Sequence, residues 1–408
     1  MGSPVKDKPF SYRYESFGGI IQLEHPQALL YVDREFMRRL GYPDSPLWTD
    51  RVSGESLLSA PTEVQLSLTN RCGAGCRHCH ADSRPGDGPG RELGRDGMIA
   101  VLGELARMRV FHVTLGGGES TELPWLFEIA HLARGMGVNP SLTTNGFFVT
   151  EDNVVEFNIF DRVNVSLDGV GERYATHRGV SGYDRAVSAL RLLRDEDIPV
   201  GIHCVISRDN FEHMDEVFQL GREIGVQQLE LLRYKPAGRA GRDLLDYLRH
   251  DLTDEQAWDF FPRVMRLAQE NKTPLALDCS FTPYLYAHGP DPKLMERYGV
   301  TGCLGGNTLC GVTADGMVSA CPFSSSEGRS IDDMHDWWGS EDTFFSYRHW
   351  MDAAPEPCRS CDYLSVCRGG CHAVSKFVFG DVYSPDPGCP LVRRHYAHTG
   401  LHRAVAAD

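Results

Sequence analysis

The chain has 408 residues, with 41 Lys and Arg against 56 Asp and Glu, for a formal net charge of −15. That length accommodates a large catalytic domain plus at least one further unit. The acidic balance opposes general nucleic-acid binding, which needs basic surface for phosphates; no apolar run reaches membrane-spanning length, and no charged-then-apolar secretion signal opens at Met1.

Residues 1–59 read as a short α+β extension. Phe17-Gly-Gly-Ile-Ile21 and Ala28-Leu-Leu-Tyr-Val32 suit a strand pair, and Asp33 suits the cap of a short helix through Leu40 that ends near Gly41 and Pro43. Pro43 to Pro61 is rich in Pro, Ser and Gly and reads as a linker. The extension either packs on the core without a chemical role or offers a docking platform for a peptide's leader segment by strand addition.

From Pro61 to about Asp278 strands and helices alternate. Strands are expected at Val64–Leu68, His112–Leu115, Ser141–Thr144, Val163–Leu167, Val200–Ile206 and Gln228–Leu232. Helical faces lie between them, with Met98, Val101, Leu102 and Leu105 on one and Met214, Val217 and Phe218 on another. Pro124 suits the first turn of a further helix. Repeated βα units imply a parallel sheet with right-handed crossovers. Six of them make a partial (β/α)6 barrel of the TIM type, open on one side, with ligands expected at the carboxyl ends of the strands.

Four polar motifs stand at four consecutive strand ends. The first is Cys72-Gly-Ala-Gly-Cys76-Arg-His-Cys79. Three thiolates in one loop cover three irons of a four-iron cubane and leave the fourth open to a bound molecule. The obvious occupant is S-adenosylmethionine, chelating through its amino and carboxylate groups. One electron then splits its sulfonium and releases a carbon radical, chemistry that belongs to the cofactor. This loop resembles the cluster motif of the radical S-adenosylmethionine enzymes.

Gly117-Gly118-Glu119 resembles the GGE element of that family. Its glycines let the backbone approach the methionine end of the cofactor, and Glu119, or the backbone beside it, accepts from the amino group. Ser120 stands where the family often carries proline. Ser166 and Asp168 resemble the strand-four element that contacts the ribose, since a hydroxyl and a carboxylate suit a diol. Asp168 alternatively serves an Asx-type turn, and Asn145, in Thr144-Asn145-Gly146, faces the same choice. Arg178 either pairs with the cofactor carboxylate or sits at the surface. His78 stands where the family usually has an aromatic residue near the adenine.

Thirteen cysteines occur, at spacings that suit metal more than disulfides. A cytoplasmic, reducing location is expected, where thiols stay free to bind iron. Cys358-x2-Cys361-x5-Cys367-x3-Cys371, then Cys389, with Cys303, Cys310 and Cys303-x12-Gly316-x4-Cys321 upstream, resembles the SPASM extension of the same family. The resemblance implies two auxiliary iron–sulfur clusters, held by Cys303, Cys310, Cys321 and Cys371 and by Cys358, Cys361, Cys367 and Cys389. The core family pattern has only seven positions, so Cys310 is the additional ligand. Structural zinc is the competing explanation for C-x2-C pairs. Pro322 stands where sulfatase-maturing members carry an aspartate base.

Two cysteines remain. Cys204, in an apolar strand, reads as a core thiol. Cys279 follows Leu275-Ala-Leu-Asp278; it either packs or faces the barrel mouth as a hydrogen-atom donor, as a peptide epimerase requires. Arg233, Lys235 and Arg239 in Leu231–Ala240 end the sixth strand, either to hold a substrate carboxylate or as a solvated loop.

The resemblance implies a radical core over 60–290, a SPASM domain over 295–395 and a tail over 396–408. It implies an enzyme that reductively cleaves S-adenosylmethionine to a 5′-deoxyadenosyl radical and takes hydrogen from an unactivated carbon. S-adenosylmethionine and three [4Fe–4S] clusters are the implied cofactors, with an electron donor of flavodoxin or ferredoxin type. The favoured substrate is a ribosomally made peptide that is crosslinked, oxidised or epimerised. The alternatives are oxidation or decarboxylation of a haem-precursor side chain and, in another class, a zinc-dependent binding module. The last leaves the strand-end motifs unexplained.

Overall fold

The computed structural model describes residues 10–23, 28–48, 57–86, 91–324 and 328–399. The extension holds a three-stranded antiparallel sheet, β1 (Phe10–Glu15), β2 (Gly18–Leu23) and β3 (Ala28–Asp33), followed by α1 (Arg34–Arg39). Asp33 caps α1 by accepting from the Phe36 amide at 2.7 Å, as the sequence predicts. β1 was not foreseen, because its buried positions include Arg13 and Glu15 rather than apolar residues. Arg13 survives burial because acceptors surround it: Glu15 at 2.7 Å and the carbonyls of Ala60 at 2.7 Å, Pro61 at 2.8 Å and Arg109 at 3.1 Å. With Ile20 packed on Leu58 and Phe111, it seats the extension against the start of the barrel. Residues 49–56 of the expected linker and 400–408 of the expected tail lie outside the described residues.

The second sheet has ten strands in the order β10-β9-β8-β7-β6-β5-β4-β11-β12-β13. Its parallel heart is β4 (Glu63–Thr69), β5 (His112–Gly117), β6 (Asn139–Thr144), β7 (Val163–Ser166), β8 (Val200–Ile206) and β9 (Gln228–Arg233). These are the six strands expected from the sequence. Helices α2 (Gly94–Arg107), α3 (Leu126–Gly135), α4 (Glu172–Arg178), α5 (Tyr183–Asp195) and α6 (Met214–Ile224) lie between them. α2 buries Met98, Val101, Leu102 and Leu105, the i, i+3, i+4, i+7 stripe that a helix on a sheet requires. Trp125 is the N-cap of α3, so Pro124 precedes that helix instead of opening its first turn.

Strand alternation decides what the barrel encloses. On β4, Val64, Leu66 and Leu68 are fully buried outward against the helices, while Glu63, Gln65 and Ser67 face the lumen. Thr114, Ser141, Asn164, His203 and Glu230 continue that polar lining. The lumen therefore stays open to a polar occupant.

The sheet also runs past the six expected strands. β10 (Leu275–Leu277) adds in parallel to β9, after α7 (Leu244–His250) and α8 (Asp254–Asn271). On the other flank β11 (Leu309–Val312) pairs in parallel with β4, and β12 (Met317–Ser319) and β13 (Arg329–Ser330) follow antiparallel. The cysteine-rich segment is thus hydrogen-bonded to the barrel. Among the described residues no helix is long and apolar enough to cross a membrane.

Candidate functional site

The loop after β4 carries Cys72, Cys76 and Cys79 over the carboxyl ends of the strands. Each sulfur accepts one hydrogen bond: Cys72 from the Ala74 amide at 3.4 Å, Cys76 from Arg178 Nη2 at 3.3 Å and Cys79 from the Ser83 amide at 3.4 Å. Donors so placed stabilise thiolates and tune an iron–sulfur centre. Burial pushes the Cys72 thiol up to about 11, so metal binding there must displace a proton.

The glycines of Gly117-Gly118-Glu119 have a reason the sequence does not reveal. A Cβ on Gly118 would lie 2.0 Å from the Arg71 carbonyl oxygen, and one on Gly117 would lie 2.6 Å from that of Thr69. Both residues are bare so that the cysteine loop can lie against them. The Gly118 amide donates to Thr69 O at 2.6 Å and the Glu119 amide to Arg71 O at 2.8 Å. Ser120, in the family's proline position, closes its turn by donating to Gly116 O at 2.8 Å.

The Glu119 carboxylate is wholly buried and internally engaged. It accepts from Thr121 Oγ1 at 2.5 Å, Thr144 Oγ1 at 2.6 Å and the Asn145 amide at 2.7 Å. It ties the end of β6 to the turn after β5. Asn145 Oδ1 accepts from the Phe147 amide at 2.7 Å, the Asx-type turn.

Asp168 is the electrostatic hub. Its carboxylate meets Arg178 Nη1 at 2.7 Å, His78 Nε2 at 3.0 Å and the Val205 amide at 2.8 Å. Burial alone would raise this carboxyl; Arg178 and His78 outweigh it and hold it well below the ordinary range. Arg178 is buried, not at the surface, and bridges Asp168 to Cys76. His78 likewise binds the cysteine loop to Asp168.

The segment after β9 is a clamp, which the sequence did not disclose. Arg239 Nε donates to Cys76 O at 2.7 Å, its Nη2 to Ser83 O at 2.8 Å and its amide to Cys79 O at 2.9 Å. Gly238 adopts φ +54° with the His80 carbonyl against it, where a Cβ would lie 2.3 Å away. Arg233 is fully buried on Asp386 at 2.8 Å. Both cations, expected either to hold a substrate or to be solvated, have structural partners, and Arg233 also reaches the cavity lining. Lys235, paired with Asp278 and 4.1 Å from the Phe323 ring, does line the cavity.

That cavity, about 480 Å³, is bounded by the three loop cysteines together with Gly117, Gly118, Glu119, Asn145, Ser166, Asp168 and Arg178. The residues expected to hold S-adenosylmethionine thus converge on one space. Arg178 Nε is buried there without a protein acceptor, an orphaned donor that suits an anionic occupant. The donor set fits a cluster and its cofactor.

A second cavity, about 220 Å³, is lined by Cys358, Cys361, Cys367 and Cys389, the set implied by the family pattern. Cys303, Cys321 and Cys371 form another neighbourhood, with Cys303 and Cys371 both felt by the Cys321 thiol. Burial pushes Cys303 up, but His372 beside it more than compensates and lowers it. Cys310 is placed differently from the other expected ligands. It lies fully buried in β11 opposite Val64, within the apolar core, with Arg348 and Glu63 as charged neighbours. Cys279 is exposed and stands beside Cys303 and Cys321. Cys204 is a core thiol of β8, as expected. Among the described residues no three cysteines bring their sulfurs within 4.8 Å of one another. A single zinc ion with Zn–S of ~2.3 Å would gather its sulfurs to about 4 Å.

Residues 66–221 match the family model described as the radical SAM superfamily. The chain is 32% identical over 344 residues to the mycofactocin maturase MftC of Mycobacterium tuberculosis, covering 81% of this chain and 83% of that protein. It is 26% identical to an AdoMet-dependent heme synthase of Methanosarcina barkeri, over 82% of this chain and 97% of that one. It is 27% identical to a PqqA peptide cyclase of Ruegeria pomeroyi, over 86% and 93%. Among solved structures, Streptococcus suis SuiB bound to S-adenosylmethionine shares the fold with a TM-score of 0.69 at 18% identity, over 94% of this chain and 99% of that one. The chain belongs to the radical SAM superfamily. It is a radical S-adenosylmethionine enzyme, and that membership implies the cofactor and a [4Fe–4S] cluster.

Proposed function

We propose that this enzyme modifies a ribosomally made precursor peptide, by crosslinking, oxidation or epimerisation, using three [4Fe–4S] clusters. The observation that carries the reading is the likeness to MftC and the PqqA cyclase along more than four fifths of the chain, together with three separate gatherings of cysteines. When bound to its cluster, S-adenosylmethionine supplies a 5′-deoxyadenosyl radical. The chain's own residues orient it: Arg178 and Asp168 fix the cysteine loop, Glu119 fixes the adjoining wall, and the polar lumen receives the nucleoside. Cys358, Cys361, Cys367 and Cys389 would hold one auxiliary cluster, and Cys303, Cys321 and Cys371 would contribute to the other. These clusters would accept the electron left on the substrate. A flavodoxin or ferredoxin would supply the initiating electron, in the cytoplasm.

The extension supports a docking role. Among the described residues β3 pairs only with β2, and it exposes Leu30 and Tyr31 beside that open edge. A leader segment added there as a strand would gain main-chain hydrogen bonds. A second reading, modification of a haem-precursor side chain, is favoured by the relative from Methanosarcina barkeri.

The test is anaerobic reconstitution with dithionite and S-adenosylmethionine. 5′-Deoxyadenosine is expected from the wild type and none from Cys72→Ala. A precursor peptide encoded beside the gene should change in mass; turnover of a tetrapyrrole and not of the peptide would select the second reading. No 5′-deoxyadenosine from fully loaded protein would remove both.

A further inference from the structure

We propose that Cys279 supplies the fourth protein thiolate of the set begun by Cys303, Cys321 and Cys371, so that four separate segments hold one auxiliary cubane and Cys310 takes no part. Three convergences place it there. Cys279 opens a short turn separated by one residue from β10, and that turn is pinned by Asp278, which accepts from the Ser280 amide at 2.9 Å and the Arg233 amide at 3.2 Å. Lys235, paired with that same Asp278, lies over Phe323, two residues past Cys321. Gly370, just before Cys371, packs so closely on the next helix that a Cβ there would be 2.9 Å from Pro283 Cγ, four residues past Cys279.

Cys303 joins the same knot. A Cβ on Gly302 would lie 1.8 Å from the Cys367 carbonyl, whose oxygen accepts from the Gly370 amide at 3.2 Å. Cys279 stands beside Cys303 and Cys321. Cys310 instead lies in the apolar core, opposite Val64 of β4. Each Cys S–Fe bond forms as the thiol releases its proton to solvent, with no electron transferred. A sulfur bound this way carries no S–H hydrogen, so Cys279 cannot also donate a hydrogen atom to a substrate radical. Four thiolates would leave no iron open to substrate, and Lys235, Pro322 and Phe323, which adjoin these cysteines, line the main cavity.

The assignment rests on the auxiliary clusters of the proposed function, and the experiment separates the two. In the full chain with Cys72, Cys76 and Cys79 all changed to Ala, only auxiliary iron remains, roughly eight irons per chain from two cubanes. No iron in this background would overturn the clusters themselves and the assignment with them. Adding Cys279→Ser should make about one iron labile, read as a three-iron EPR signal after mild ferricyanide oxidation; adding Cys310→Ser should leave iron and spectrum unchanged. The assignment falls if Cys279→Ser behaves as its parent or if Cys310→Ser gives the signal. On unmutated holoprotein, iodoacetamide followed by mass spectrometry should label Cys279 only after iron is chelated. Equal labelling with and without iron would overturn it independently of any variant's folding.

Discussion

At the scale of single residues, Asp168 does the most with the least exposure. Asp168→Asn leaves the Arg178 guanidinium buried without a counter-charge, a loss of about 3–5 kcal/mol. The carboxyl is depressed in the folded state, so its stabilisation is complete above the unfolded value of ~3.9 and lost as the pH falls below it. Denaturant melts should therefore show a wild-type advantage that is flat from about pH 5 upward and shrinks in acid; a constant difference down to about pH 2 would contradict the pairing. Gly118→Ala, forced against the Arg71 carbonyl, should cost ~1–3 kcal/mol and lower the iron held by the Cys72 loop, measured as iron per chain. Both residues were marked in the sequence by type and position. Their partners were not, because Arg178, His78 and Arg71 reach them through the tertiary fold, and a motif says which atoms are needed but not which neighbours already use them.

At the scale of elements, the six parallel strands were legible because each is a short β-rich run, alternating or apolar, and helical stripes separate most of them. β1 was hidden by Arg13 and Glu15, whose burial depends on carbonyls from distant residues. β10 to β13 are two to four residues long, too short to carry a period. The clamp after β9 was seen as a row of cations but not as a lock. Arg239→Ala removes the side-chain bonds to Cys76 O and Ser83 O, so the cysteine loop should lose cluster occupancy several-fold while auxiliary iron stays. Mössbauer spectra of the variant check this; equal loss from every cluster would mean general unfolding instead.

At the scale of the whole molecule, the extension and the barrel meet through Arg13 and the Ile20–Leu58–Phe111 contact, which fixes β3 with its open edge outward. Leu30→Asp alters an exposed position, so stability should change by less than about 0.5 kcal/mol. Binding of the precursor peptide, read by fluorescence anisotropy, should weaken at least tenfold, while peptide-independent 5′-deoxyadenosine formation is unchanged. Loss of both would refer the effect to the barrel. Finally, β11 is woven onto β4 from Leu309–Glu63 to Val312–Leu66. Chimeras between relatives therefore cannot treat the C-terminal third as an interchangeable cassette cut near residue 290. A graft whose incoming strand misses that register leaves β4 as a bare seam, free to zip onto a second copy.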